Sequence, residues 1–410
     1  MKILFTCKEL PHSRIIGGPI IVYNRIKYLS RKHTVSLAAF YHPGEEKYAS
    51  SLIPFCHELK LIPFPLPRSV FKTAWDIVFS SLPHYFLKNH GSEEMRCTLA
   101  EMVRREKYDF VIAEYSVMGQ FVYKNPWLPP VRKVISVHEC YYLARLKSFR
   151  LHKPGKAKLE EALNLMGLKK YEFGIYRDAD KVLTLTPQGK EELLSIAPDL
   201  DVSVVPHGVD VNAFSFTPRA EEEKCVVFVG NYLHYPNVDA VLYFHHQIWP
   251  LLKKYVPEIK FYVVGQSPPE EIRKLARDKS IIVTGTVEDV VPYLRKAEIF
   301  VNPVRLGGGF RGKILEAMSL GRPVVSTSLG AEGIPASSRE NIIIADTPGD
   351  FAQGVAELIN DKELYLKIQK NARHLMEEKY AWEKGAALLE KILEEMMQHP
   401  PEGKRKRRKP

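Results

Sequence analysis

The 410-residue chain has no apolar run near the roughly 18 residues that a membrane-spanning helix needs, so no helical span is expected. It also lacks a signal-peptide core. Met1-Lys2-Ile3-Leu4-Phe5 gives way at once to Lys8, Glu9 and Pro11, and reads instead as a first buried strand, which argues against secretion. Cysteine is scarce: Cys7, Cys56, Cys97, Cys140 and Cys225 are odd in number, scattered and without a CxxC pair. That pattern writes neither a disulfide framework nor a zinc site, and points to reduced thiols in the cytoplasm. What is abundant is apolar side chain, 45% of the composition, enough for two ordinary domain cores and too much for a fibrous or wholly disordered chain.

The net charge of +11 is unevenly spread, because Lys404, Arg405, Lys406, Arg407, Arg408 and Lys409 crowd together. A basic run after Pro400 and Pro401 reads as a disordered tail, residues 400–410, that either touches anionic lipid or nucleic acid or is merely solvated. A second basic stretch, 145–158, is either a solvated helix face or, at the mouth of a site, an attraction for an anionic acceptor. Residues 61–90 carry Pro63, Pro65, Pro67 and Pro83 around Val70, Phe71, Trp75, Ile77, Val78 and Phe79. This insert suits a bilayer interface or a helix packed on its own domain.

Short β-branched runs alternate with amphipathic stretches of helical period, the pattern of parallel sheets with crossover helices. They fall at 3–6, 35–39, 110–113, 134–137, 182–186 and 202–205, and again at 226–230, 261–265, 281–284, 299–302, 324–327 and 342–345. Two doubly wound α/β domains follow, with boundaries at 1–206 and 225–380, a hinge over 207–224, and a helix at 381–399 that crosses back to the first domain. Ligands of such sheets bind beyond the carboxyl ends of the strands, so two facing domains would make an interdomain cleft.

The richest stretch runs from Asn302 to Met318 and contains Gly307, Gly308, Gly309, Phe310, Arg311, Gly312, Lys313 and Glu316. It follows a strand and opens a helix. The glycines let backbone approach a ligand, and the helix start offers free N–H groups to phosphate. Arg311 and Lys313 add full charges, and Glu316, one turn later, can accept hydrogen bonds from sugar hydroxyls. The stretch also satisfies GxxxxGK, but Ile314 replaces the hydroxyl that would hold magnesium in a P-loop. Gly307, Gly309 and Gly312 spell GxGxxG too, yet far from the first strand of the domain where a dinucleotide fingerprint belongs.

In order along the chain, Gly17-Gly18, His138-Glu139, Pro206-His207-Gly208-Val209-Asp210, Gly230-Asn231, Thr284-Gly285-Thr286-Val287, the 307–318 stretch, Gly321-Arg322-Pro323 and Tyr380-Ala381-Trp382 resemble the retaining GT-B glycosyltransferases of family 4. The resemblance implies a GT-B fold of two Rossmann-like domains. It implies that Gly18 lies near the donor phosphates, that Gly230 and Asn231 face the diphosphate from the opposite domain, and that Thr286 and Val287 lie near the nucleobase. Gly308, Gly309 and Phe310 would belong to the donor loop. Arg311 and Lys313 would neutralise the leaving group, Glu316 would bind the ribose, and His138 would approach the transferred sugar. Position 308 is Gly where the family motif has the first of two glutamates, so the carboxylate that usually helps hold the donor sugar is absent. The Arg and Lys pair usual after the first donor-domain strand is missing as well; this region reads Asn231, Pro236 and Asn237, and Arg311 with Lys313 would supply that charge.

The implied activity is metal-independent transfer of a sugar from a UDP- or GDP-sugar to a glycan or lipid-linked acceptor, in polysaccharide or glycoconjugate biosynthesis. No cofactor and no specific nucleic-acid partner are expected, and the setting would be the cytoplasm, with residues 61–90 and the basic segments available for peripheral membrane contact. A nucleotide-sugar epimerase and a non-catalytic nucleotide-sugar-binding subunit are the alternatives. Asp178-Ala-Asp180 looks like the DxD of metal-dependent transferases, but precedes a strand, where an aspartate commonly turns or caps; His207 fits a hinge, and His245-His246 fits packing.

Overall fold

A computed structural model describes the chain except residues 13–17, 66–82, 84, 87–90, 152–153, 219–222, 308–311 and 399–410. Its contacts divide into two units, Met1–Pro206 with the chain from Gly385 onward, and His207–Lys384.

The first unit is built on β1 (Lys2–Cys7), β2 (Thr34–Tyr41), β3 (Glu58–Pro63), β4 (Phe110–Glu114), β5 (Arg132–Val137), β6 (Lys181–Thr184) and β7 (Val202–Val204). All pairings are parallel, in the order β3-β2-β1-β4-β5-β6-β7. Ile3 lies beside Val35 on one flank and Phe110 on the other. β1 and β4 are buried on both faces, which is why their sequences are near-continuous apolar runs rather than alternating ones. β3 escaped the sequence reading because it is an edge strand, half-exposed and interrupted by Glu58, Lys60 and Pro63. Of the 61–90 insert, most lies outside the described residues; Phe86 is fully buried, its ring 5.1 Å from Tyr171.

The second unit holds β8 (Cys225–Val229), β9 (Lys260–Val264), β10 (Ile281–Gly285), β11 (Ile299–Asn302), β12 (Val324–Ser326) and β13 (Ile343–Ile344), again all parallel, in the order β10-β9-β8-β11-β12-β13. These are the six runs that the sequence marks. Helices start where side chains or prolines satisfy the free N–H groups: Thr186 caps Pro187–Ile196 and Thr347 caps Pro348–Asn360, each with proline in the first turn. The last helix, Trp382–Gln398, begins in the second unit and continues into the first, where Leu389 and Leu393 are fully buried in the core around β1 and β4. Its Glu390 accepts from Lys32 at 3.0 Å and pairs with His33 at 2.9 Å.

Candidate active site

Each sheet has one point where the strand order reverses: between β1 and β4, and between β8 and β11. Carboxyl ends of strands at such points open a crevice in which ligands bind.

In the second unit this edge is made of main chain. Gly230 follows β8, Gly265 follows β9 and Gly285 ends β10. Gly265 cannot be anything else: a Cβ there would lie 1.7 Å from the Gly230 carbonyl oxygen, and its φ is +136°. Asn231 shapes the following turn, its Oδ1 accepting from the Leu233 N–H at 3.0 Å and its carbonyl from Asn237 Nδ2 at 2.7 Å. Thr286 is exposed, and Val287 is half-buried against the core that holds Phe300 and Ile314.

The chain leaving β11 is anchored first. Arg305 donates through Nε and one terminal nitrogen to both carboxylate oxygens of Asp239, each at 2.9 Å, and lies 4.4 Å over the Tyr243 ring. Gly307 then takes φ +83°. Gly308, Gly309, Phe310 and Arg311 fall outside the described residues. The helix Gly312–Ser319 starts immediately after, and a Cβ on Gly312 would come within 3.4 Å of the His207 ring. His207, which the sequence assigns only to a hinge, therefore lies against the first turn of this helix, with its ring 5.1 Å from that of Trp382. Lys313 Nζ donates to Asn237 Oδ1 at 3.4 Å and sits 5.3 Å over the Phe228 ring. Glu316 is half-buried and makes no side-chain hydrogen bond or ion pair among the described residues. Burial pushes its carboxyl up to about 7, with Lys313 pulling the other way. A half-buried carboxylate is able to accept hydrogen bonds from hydroxyls or N–H groups.

In the first unit Glu114 ends β4 and His138 follows β5. Arg25 donates to both Glu114 oxygens at 2.8 and 3.0 Å and to Ser136 Oγ at 2.8 Å. His138 Nε2 lies 2.9 Å from Glu114 Oε2. Burial raises the Glu114 carboxyl, but Arg25 and then His138 overcome it, and it ends lowered to about 2. Burial keeps the His138 imidazole below its ordinary value, against the pull of Glu114. A neutral ring facing an ionised carboxylate carries its proton on Nε2, so Nδ1 is left as an acceptor. That Nδ1 is buried without a partner among the described residues, and so is the Tyr115 hydroxyl, whose ring lies 4.1 Å from His138. Tyr115 holds φ +73°, unusual for a side-chain-bearing residue, and Lys8 Nζ stands 4.5 Å over its ring. Gly18 opens the helix Gly18–Leu29, and a Cβ there would meet the Tyr115 hydroxyl at 2.0 Å. Gly18 thus has a packing reason to be glycine besides any phosphate. Sequence reasoning missed Arg25, Glu114 and Tyr115; their partners are up to 180 positions away, and no local motif marks them.

Asp178 and Asp180 are occupied locally, Asp178 pairing with Lys133 Nζ at 2.8 Å and Asp180 accepting the Lys133 N–H at 2.8 Å. Among the described residues, no three His, Cys, Asp or Glu side chains converge as a metal ligand set.

Two family models match consecutive segments of the chain, Glycosyltransferase Family 4 over residues 16–213 and Glycosyl transferases group 1 over residues 223–361. An uncharacterized 44.6 kDa protein in the cps region of Klebsiella pneumoniae is 23% identical over 92% of this chain and 96% of its own length. A D-inositol 3-phosphate glycosyltransferase of Corynebacterium jeikeium is 26% identical over 74% of this chain and 75% of its own length. Among solved structures, sucrose-phosphate synthase of Thermosynechococcus elongatus superposes with a TM-score of 0.70 at 15% identity, covering 97% of this chain and 100% of that one. Anabaena HepE in complex with UDP superposes at 0.67 and 15% identity, covering 96% of this chain and 100% of that one. With one glycosyltransferase model on each unit and solved neighbours of the same two-sheet architecture, the chain belongs with the GT-B glycosyltransferases.

Proposed function

We propose that this chain is a retaining, metal-independent glycosyltransferase that moves a sugar from a UDP- or GDP-sugar to a glycan or lipid-linked acceptor, in polysaccharide or glycoconjugate synthesis at the inner face of a membrane. The observation that carries the donor reading is Glu316: a half-buried carboxylate with no partner among the described residues, raised to about 7, one turn into the helix Gly312–Ser319, whose first turn also carries Lys313. A nucleoside diphosphate completes such a site. Ribose hydroxyls donate to Glu316, the diphosphate takes the charge of Lys313 and, from the sequence, Arg311, and the main chain at Gly230 and Gly285 lets the ligand approach closely. Solved HepE complexes with UDP and UDP-glucose, and a TarM complex containing UDP, support a donor of that class.

In the reaction, the bond from the anomeric carbon to the diphosphate oxygen breaks, and a glycosidic bond to the acceptor oxygen forms on the same face. The acceptor proton passes to the departing phosphate. Negative charge grows on that phosphate, where fixed cations and N–H groups stabilise it most. His138 Nδ1, held as an acceptor by Glu114, would take a hydrogen bond from a hydroxyl of the transferred sugar.

The test is a thermal-shift screen of the purified chain against UDP, GDP, ADP, dTDP and CMP and their sugar conjugates, with and without EDTA. A ligand at a hundredfold excess over its dissociation constant adds about 2.7 kcal/mol of stability. The expected result is a shift with one diphosphate and its sugar conjugate, indifferent to EDTA and lost in Glu316→Ala. A shift that needs a divalent cation would overturn the metal-independent reading, and no shift with any of them the donor reading.

A further inference from the structure

The helix Lys156–Leu165 runs through Met166 and Gly167 into the helix Leu168–Asp178. Leu159, Leu163 and Met166 are spaced four and three residues apart, which puts them on one face, and they are 64%, 38% and 61% exposed. A helix of a soluble domain ordinarily turns such a face inward. Here the inward side is polar instead: Glu161 is buried, accepting from Arg145 at 3.0 Å and from Ser148 at 3.3 Å, and Asn164 is buried beside it.

Immediately beyond lies a cavity of about 450 Å³ floored by Leu165, Phe173 and Ile196, with Lys169, Lys170 and Arg177 in its lining. All three cations are exposed, as is Lys156 at the far end of the stripe. Among the described residues of these two helices the exposed carboxylate is Glu160, and Asp199, also exposed, pairs with Arg177 at 3.1 Å.

We propose that this face docks the chain on an anionic lipid bilayer. Leu159, Leu163 and Met166 enter the boundary between headgroups and acyl chains. Lys156, Lys169 and Lys170 meet lipid phosphates, and the cavity takes one headgroup. The charge complementarity selects this occupant: an apolar stripe bordered by cations matches a surface that presents acyl chains beneath phosphates. The inference rests on the membrane setting proposed above and deepens it by naming the surface through which a lipid-linked acceptor would be reached, and it does not depend on the donor.

The experiment is co-sedimentation of the full chain with vesicles of phosphatidylcholine alone or mixed with phosphatidylglycerol. Wild type should bind the mixed vesicles, more weakly as salt rises, and leave phosphatidylcholine alone in solution. Leu159→Glu with Met166→Glu should lower the bound fraction about tenfold. Each of Lys169→Gln and Lys170→Gln should weaken binding about fivefold. The thermal midpoint and the nucleotide-induced shift of the same variants should match wild type, which separates loss of docking from loss of fold or of the donor site. The proposal fails if the variants sediment like wild type, or if wild type ignores both vesicles. It also fails if light scattering shows a dimer that the Glu variants dissolve, because a second copy would then be the occupant.

Discussion

Glu114, the last residue of β4, and Glu316, on the helix that follows β11, are opposites. Glu114 is fully buried and saturated by Arg25 and His138, and its carboxyl is lowered to about 2. Glu316 is only half-buried, makes no hydrogen bond among the described residues, and is raised to about 7. A carboxylate whose partners are all supplied by its own chain holds structure. One that has none among the described residues is open to a donor from outside, as the proposed nucleotide sugar would supply. The contrast also separates the two units: the carboxylate of the first orients the His138 ring, while that of the second has no donor among the described residues.

The largest effect expected is at Glu114. Replacing it with Ala strands the Arg25 guanidinium, 3% exposed, and should cost about 3–5 kcal/mol in urea unfolding, whereas Arg25→Met combined with Glu114→Leu should cost far less. A single substitution costing under about 1 kcal/mol would dissolve the contrast. Next is Lys313→Ala, expected to lower kcat/KM for the sugar donor by about 10²-fold or more while the thermal midpoint holds.

The third concerns Glu316 and pH. Its folded pKa lies above the unfolded value of 4.5, so ionising it opposes folding, and the penalty grows as pH rises from about 4.5 to about 7. At about 1.4 kcal/mol per pKa unit, Glu316→Gln should stabilise the ligand-free chain by at most about 3 kcal/mol above pH 7 and by nothing near pH 4. A hydroxyl-bearing ligand that prefers the ionised form reverses this, so wild-type affinity for the nucleotide sugar should rise with pH through about 7. Calorimetry in buffers of different ionisation enthalpy would detect the released proton. Glu114 runs the other way, its contribution present above the ordinary carboxylate range and lost as pH falls towards 2. The smallest effect is expected at Asp178→Asn, about 1 kcal/mol or less with donor turnover unchanged, since its ion pair with Lys133 is partly exposed to water.

Much of this was legible in the sequence because it is local. Strands buried on both faces betray themselves as unbroken apolar runs. β3 was not legible, since an edge strand with Glu58 and Lys60 has neither an apolar run nor a clean alternation. The Arg25, Glu114 and His138 cluster was invisible for another reason. Its members come from a helix and two strand ends, and only the order β1-β4-β5 brings them within 3 Å. The clash that any side chain at position 265 would make with the Gly230 carbonyl likewise arises only once β8 and β9 are side by side.

The helix that begins in the second unit and finishes in the first has a consequence for synthesis on the ribosome. Leu389 and Leu393 complete a core whose other members, around Ile3 and Phe110, are made before the second unit exists. At about 5–20 residues per second, the first sheet emerges and then waits on the order of tens of seconds, its apolar surface uncovered, until the closing helix arrives. The nascent N-terminal half is therefore a natural client for a holding chaperone, and separate expression of residues 1–206 should yield an aggregating fragment that a peptide covering 385–398 helps to keep soluble.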